Sequence, residues 1–463
     1  MTSLIYPGTG TAPPPPPLPP QPPASYCRPG YHAVCCSGAV AAASIGGVVS
    51  GSSSLASAPP AQFTPNPRVG PGGTKYKDSA HFRVYGATND SLADGAIGML
   101  EAAYACFVDG LGWRSPGLSF KQDTDDGPWN KLNVYQVDTL PGAAANTPTD
   151  PTLGLAWLNV VKDYMAEPSV VVHEFGHALT YCERYWIDQG RTGAWWETVA
   201  NFVADTYITS SYCASSRAKF KQKDNGNTLI DLKKVVGDSY QVIVDGTRDS
   251  GNYYQAWPFF TYMHNNPDNI TGLGPAMFPA VWVRYKRNSN ETPLHVLDRI
   301  VSPTKIQTVV ARYWARMAFV DIGHAKAQAQ FAGQRKSLNY VNWDAQGGTG
   351  KYRVKTARRP RYMGANITPL RTTAGSPVVA VNVTAASAPF TAILAIRAGD
   401  GSGAVRYVEL ANGVGQATLG SGEEAMLVVV NTPAALVLFD PFNLTSETNT
   451  GVDYQVQLTG ATI

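Results

Sequence analysis

The segment PSVVVHEFGHALTYC, Pro168 to Cys182, constrains this 463-residue chain more than any other stretch. His173 and His177 stand four positions apart in it, and residues four apart share one face of a helix. Their neighbours Val171, Val172, Phe175, Ala178 and Leu179 are uncharged, so the helix is expected to be buried. Valines are poor helix formers, which leaves tertiary packing to hold it. Two imidazoles one turn apart can reach one metal ion at about 2.0–2.1 Å. The plainer alternative is a core helix with two hydrogen-bonded histidines.

A catalytic zinc site needs a third protein ligand and an open position for water. Gly193 to Ile208, GAWWETVANFVADTYI, places carboxylates among apolar residues at helical spacing. Nineteen residues separate His177 from Glu197, enough for a turn and an antiparallel second helix, and IDQGRTG supplies the turn. Glu197 is therefore the candidate third ligand. Glu174 follows the first histidine and points beside the ligand face, the place of a general base in HExxH hydrolases.

His173-Glu174-x-x-His177 followed at this distance by Glu197 resembles the gluzincin metallopeptidases, the thermolysin-like enzymes among them. The helices HEFGH, WWETVANFVAD and YYQAWPFFTYM, with a β-rich C-terminal region, more closely resemble a poorly characterised family of secreted fungal and bacterial gluzincin-like proteins. The resemblance spans Tyr76 to the end. It implies an α+β fold, with a zincin-like domain of small N-terminal sheet and helical C-terminal part. It implies one Zn2+ per chain on His173, His177 and Glu197, with Glu174 as base and a peptide or protein as substrate. A tyrosine from a later helix would donate to the oxyanion, Tyr254 or Tyr253, with His264, His295 and His324 as alternatives. Thermolysin-like enzymes carry an aspartate four residues after the ligand glutamate. This chain has Asn201 there and Asp205 one turn on, so a second shell of Asn201 and Asp205 is expected.

Elsewhere the pattern divides the chain into three. Residues 1–75, with the tract APPPPPLPPQPP, are expected to be a disordered Pro/Gly/Ser-rich head. Ala39–Val49 followed by Ala56-Ser57-Ala58 resembles a displaced secretion signal. Residues 76–363 form the zincin-like part, and residues 364–463 read as a β-sandwich or jelly roll of short strands. HFRVYG, KLNVYQV and LGLAWLNVV read as strands, the last as the edge along which a substrate would pair. SPTKIQTVVARYWARMAFV reads as a helix capped by Ser302 with Pro303 in its first turn. TARRPR, Thr356 to Arg361, reads as a solvated stretch between domains.

The net charge of +3 gives no reason to expect nucleic acid, and no uninterrupted apolar run is long enough for a membrane span. Of six cysteines, Cys182 and Cys213 flank the site and are candidates for a disulfide or for two buried thiols. Six glycosylation sequons, at Asn89, Asn269, Asn290, Asn366, Asn382 and Asn443, fit an extracellular glycoprotein. The expected function is a secreted zinc peptidase with no other cofactor, its β region binding a surface or polysaccharide. Two rivals stand beside it. One is a non-peptidase zinc hydrolase. The other is a catalytically silent extracellular binding protein, whose structural zinc would be closed by a fourth side chain such as His264 or Asp205.

Overall fold

The computed structural model describes residues 2–3, 58–223, 226–373, 376–385 and 388–463. The Pro-rich tract, the signal-like Ala39–Val49, and Cys27, Cys35 and Cys36 lie outside the described residues. The fold is α+β, with three sheets and many helices.

The first sheet contains β1 (Thr2–Ser3), β2 (Tyr76–Asp78), β3 (Phe82–Tyr85), β4 (Leu132–Val137), β5 (Ala145–Asn146), β6 (Thr149–Asp150) and β7 (Leu155–Val161). Its order is β1-β5-β7-β4-β3-β2, with β6 also paired to β7. β3, β4 and β7 are parallel, and the crossover from β3 to β4 is α1 (Asp90–Tyr104). Asn89 caps α1 by accepting the Leu92 N–H at 2.9 Å, which satisfies one orphan donor of its first turn. A π-helical turn, Ala105–Gly110, extends it. Asp90–Gly110 is the one helix among the described residues long and apolar enough to cross a membrane, and here it buries Leu100 and Phe107 in the core.

Two expectations about this sheet are corrected. The stretch 58–75, assigned to the head, packs onto the sheet and buries Phe63 and Val69. Asn133 Nδ2 donates to the Asn66 and Val69 carbonyls at 2.8 Å each, so a polar strand residue holds an otherwise Gly/Pro-rich segment. β7 is not an edge. It pairs with β4 on one side and with β5 and β6 on the other.

The helical part follows with α2 (Pro168–Tyr181), α3 (Gly193–Thr209), α4 (Ala214–Lys219), α5 (Leu232–Val235), α6 (Asn252–Gln255), α7 (Pro258–Asn265), α8 (Met277–Arg284), α9 (Pro293–Ile300), α10 (Ile306–Met317) and α11 (Ala325–Gln334). α2 is buried continuously from Val170 to Tyr181, as its uncharged neighbours require. It lies close against α3. A Cβ on Gly176 would come within 2.8 Å of the Ala200 Cα, so only glycine permits this approach. α10 begins at Ile306, not at Ser302. The Ile306 N–H donates to Asp298 at 2.9 Å, a cap supplied by the preceding helix.

Cys213 is bonded to Cys106, with Cα atoms 5.0 Å apart, joining the π-helical turn to the turn after α3. The proposed Cys182–Cys213 pairing is therefore wrong. Cys182 is a buried free thiol whose Sγ–H points back to the Leu179 carbonyl at 3.2 Å.

The C-terminal region holds β8 (Trp343–Ala345), β9 (Lys351–Val354), β10 (Ala365–Thr372), β11 (Val378–Ala385), β12 (Phe390–Ala398), β13 (Arg406–Glu409), β14 (Val414–Thr418), β15 (Glu423–Asn431), β16 (Tyr454–Thr459) and β17 (Ala461–Thr462). Two five-stranded sheets result, β13-β12-β15-β10-β17 and β14-β11-β16-β9-β8. The second draws in residues 343–354, before the boundary expected at 364. The sheets face each other through Val379, Val381 and Val383 on one side and Leu394, Ile396, Leu427 and Val429 on the other. Ile393, Ala395, Met426 and Val428 point the opposite way into the core shared with the helices, where α10 lies on β12 and β15. Burial on both faces explains why these strands read as continuous apolar runs rather than alternating ones.

Two surface expectations also change. Arg358 of TARRPR is buried, with its Nε donating to Asn342 Oδ1 at 2.9 Å. Asn366 is fully buried between the Arg358 carbonyl and the Tyr454 hydroxyl, so its sequon is closed to a glycan.

Candidate metal centre

The close contact of α2 and α3 at Gly176 brings three donor atoms together. His173 Nε2 lies 3.1 Å from His177 Nε2 and 3.2 Å from Glu197 Oε2, and the His177–Glu197 separation is 3.3 Å. Donors around one tetrahedral zinc, bound at 2.0–2.1 Å, stand about 3.3–3.4 Å apart. The three atoms thus match one face of such a tetrahedron, and no further His, Cys, Asp or Glu joins them among the described residues. Two imidazole nitrogens and a carboxylate oxygen also match the donor chemistry of zinc.

All three side chains are buried. Burial opposes charge on Glu197, but His177 and His173 more than offset it and hold the carboxyl well below the usual range. Burial likewise opposes protonation of His173, and Glu197 overrides it, so that imidazole is raised. Two imidazoles and a carboxylate this close could hold a metal ion, which would take the place of the proton the histidines share with Glu197. His173 is oriented by its other nitrogen, whose N–H is donated to Asn201 Oδ1 at 2.8 Å. The equivalent His177 Nδ1 is buried with no hydrogen-bond partner among the described residues.

Glu174 sits one residue from the ligand face and is fully buried. The Thr147 hydroxyl donates to Glu174 Oε2 at 2.6 Å and lies 3.0 Å from the Glu174 backbone carbonyl. The other oxygen, Oε1, is buried with no partner among the described residues. A buried carboxylate oxygen left without a donor costs free energy and calls for a missing partner.

The family comparison covers both the site and the sheets behind it, residues 85–463. This chain belongs to the family of unknown function DUF6055. No curated protein matches it. In this DUF6055 chain the site helices and the C-terminal strands fall within one matched span, which agrees with the core they share.

Tyr253 and Tyr254 lie on α6, which packs against α3. Burial, then the nearby Glu197 charge, pushes the Tyr253 phenol up to about 12 and raises Tyr254 as well. Both are therefore protonated at neutral pH and able to donate. Phe442, from the loop after β15, packs edge-on against Tyr253 with ring centroids 6.0 Å apart.

Asp205 does not serve the centre. It stands eight residues, about 12 Å along the helix axis, beyond Glu197, and pairs with His324 Nε2 at 2.6 Å. His264 is also elsewhere, boxed by the Phe202 and Tyr212 rings. Sequence reasoning missed Thr147 entirely. It lies between β5 and β6 in ANTPTD, where no periodicity marks it.

Proposed function

We propose that this chain is an extracellular zinc-dependent hydrolase that cleaves peptide bonds. The observation that carries the reading is Glu174 Oε1, an unpartnered buried carboxylate oxygen beside a three-donor site with an open corner. Zinc bound there would act as a Lewis acid on a water and on the scissile carbonyl. Glu174 Oε1 takes the water's proton and later delivers it to the leaving amine. Thr147 holds the opposite oxygen, so the free one faces the reaction. Tyr254 or Tyr253, on the helix packed against α3, donates its phenol hydrogen to the developing oxyanion.

The fold reading follows the same line. The first sheet with α2 and α3 is read as zincin-like, and the two later sheets as a β-sandwich that binds a surface or polysaccharide. The Cys106–Cys213 disulfide favours an oxidising, extracellular setting. Three donors rather than four favour a catalytic site over a closed structural one.

Purified protein is expected to carry close to one zinc per chain. Glu174→Gln should retain it and hydrolyse a mixed peptide library about 100-fold or more slowly. A variant as fast as wild type would remove Glu174 from the mechanism.

A further inference from the structure

The Asn201 side chain has two partners of opposite character. Its oxygen accepts the His173 Nδ1–H at 2.8 Å, and its nitrogen donates to the Tyr254 carbonyl at 2.7 Å. The two partners fix which end of the amide is which. Three residues earlier, Thr198 Oγ1 donates to the Tyr253 carbonyl at 2.7 Å. α6 is four residues long, so these carbonyls have no acceptor role inside the helix and need outside donors. Both donors ride on α3, the helix that also carries Glu197. An aspartate at 201 would serve His173 at least as well, being the stronger acceptor. It has no N–H for Tyr254, and it would set a negative charge against that carbonyl.

We propose that Asn201, helped by Thr198, is a positioning residue that ties the tyrosine turn to the metal helices, a duty only the amide can perform alongside holding His173. The proposal rests on the hydrolase reading for its kinetic consequence, but not for its structural one. The site then moves as one body: ligand helix, ligand imidazole and oxyanion donors share one hydrogen-bonded link.

The test is Asn201→Asp in the full chain, with Thr198→Val beside it. In metal-free protein, amide exchange over residues 252–257 is expected to rise roughly tenfold in Asn201→Asp and by less in Thr198→Val, with α2 unchanged. Zinc should still bind Asn201→Asp at wild-type stoichiometry, because the acceptor for His173 remains. Turnover should fall about 10–100-fold with KM within about twofold. A residue that merely oriented His173 would be unaffected or improved by aspartate. Unchanged exchange over 252–257 in both variants overturns the proposal, whether or not the protein proves to be a hydrolase. Faster exchange with no hydrolysis even in wild type would uphold the tie and reject the function.

Discussion

The two halves of α3 each present a buried carboxylate to histidine, and they do so in opposite ways. Toward its C-terminal end Asp205 is fully provided for. It accepts from Thr228 Oγ1 at 2.8 Å, Leu229 N–H at 2.7 Å, Thr209 Oγ1 at 3.1 Å and His324 Nε2 at 2.6 Å. His324 in turn accepts the Ala327 N–H and caps α11. Toward the N-terminal end Glu197 meets two imidazole nitrogens that crowd one another at 3.1 Å, and beside them Glu174 keeps one oxygen unpartnered. Every polar atom in the first cluster has a use within the fold. The second could hold an added metal ion. A buried acid–histidine pair is thus structural or functional according to how many of its lone pairs the chain itself satisfies.

That contrast can be broken by mutation. The largest effect is expected at the satisfied end. Asp205→Ala strands His324 and the donors on Thr228, Leu229 and Thr209, and should cost about 3–5 kcal/mol of unfolding free energy in denaturant titration, while zinc content stays at wild-type level. Zinc loss in that variant would mean the two clusters are not separate. Next comes the contact that builds the other end. Gly176→Ala forces α2 and α3 apart at Ala200, and should cost about 1–3 kcal/mol and lower zinc affinity together. Tight zinc binding in Gly176→Ala would show that the helix spacing is not what sets the donors. Thr147→Val removes a hydrogen bond to a charged group, worth about 1.5–3 kcal/mol, and should slow turnover by about tenfold or more with the zinc retained. An unchanged rate would mean that Glu174 needs no clamp.

The smallest effect at neutral pH, one that grows only as the solution is acidified, concerns a third kind of histidine. His264 is buried against aromatic rings with neither nitrogen hydrogen-bonded among the described residues, and burial lowers its pKa to about 4. The folded chain refuses a proton that the unfolded chain accepts below about 6.5. Stability is therefore lost as pH falls from about 6.5 toward about 4, at up to about 1.4 kcal/mol per unit from this group. His264→Phe should flatten the profile over that window by this slope, and an identical profile would exclude His264 as the cause.

The same contrast explains what could be read from the residues alone. The donors were legible because two of them share one helical turn and the third rides on a helix with its own period. Asp205 was misplaced because it shares a helical face with Asn201, and a face says nothing about distance along the axis. The disulfide was mispaired because Cys106 lies far upstream in sequence, and spacing does not reveal which turn meets which. β7 passed for an edge because its antiparallel partners are two residues each, too short to show alternation. The start of α10 was placed at Ser302 because its true cap, Asp298, comes from another helix. Each miss is a tertiary contact standing where a local rule was read.

The most direct test of the contrast is the metal content of three purified chains, measured by elemental analysis after dialysis against a weak chelator. Wild type and Asp205→Asn are expected to hold close to one zinc each, and Glu197→Gln to hold little. Equal zinc in Glu197→Gln and wild type, or none in wild type, would contradict the account.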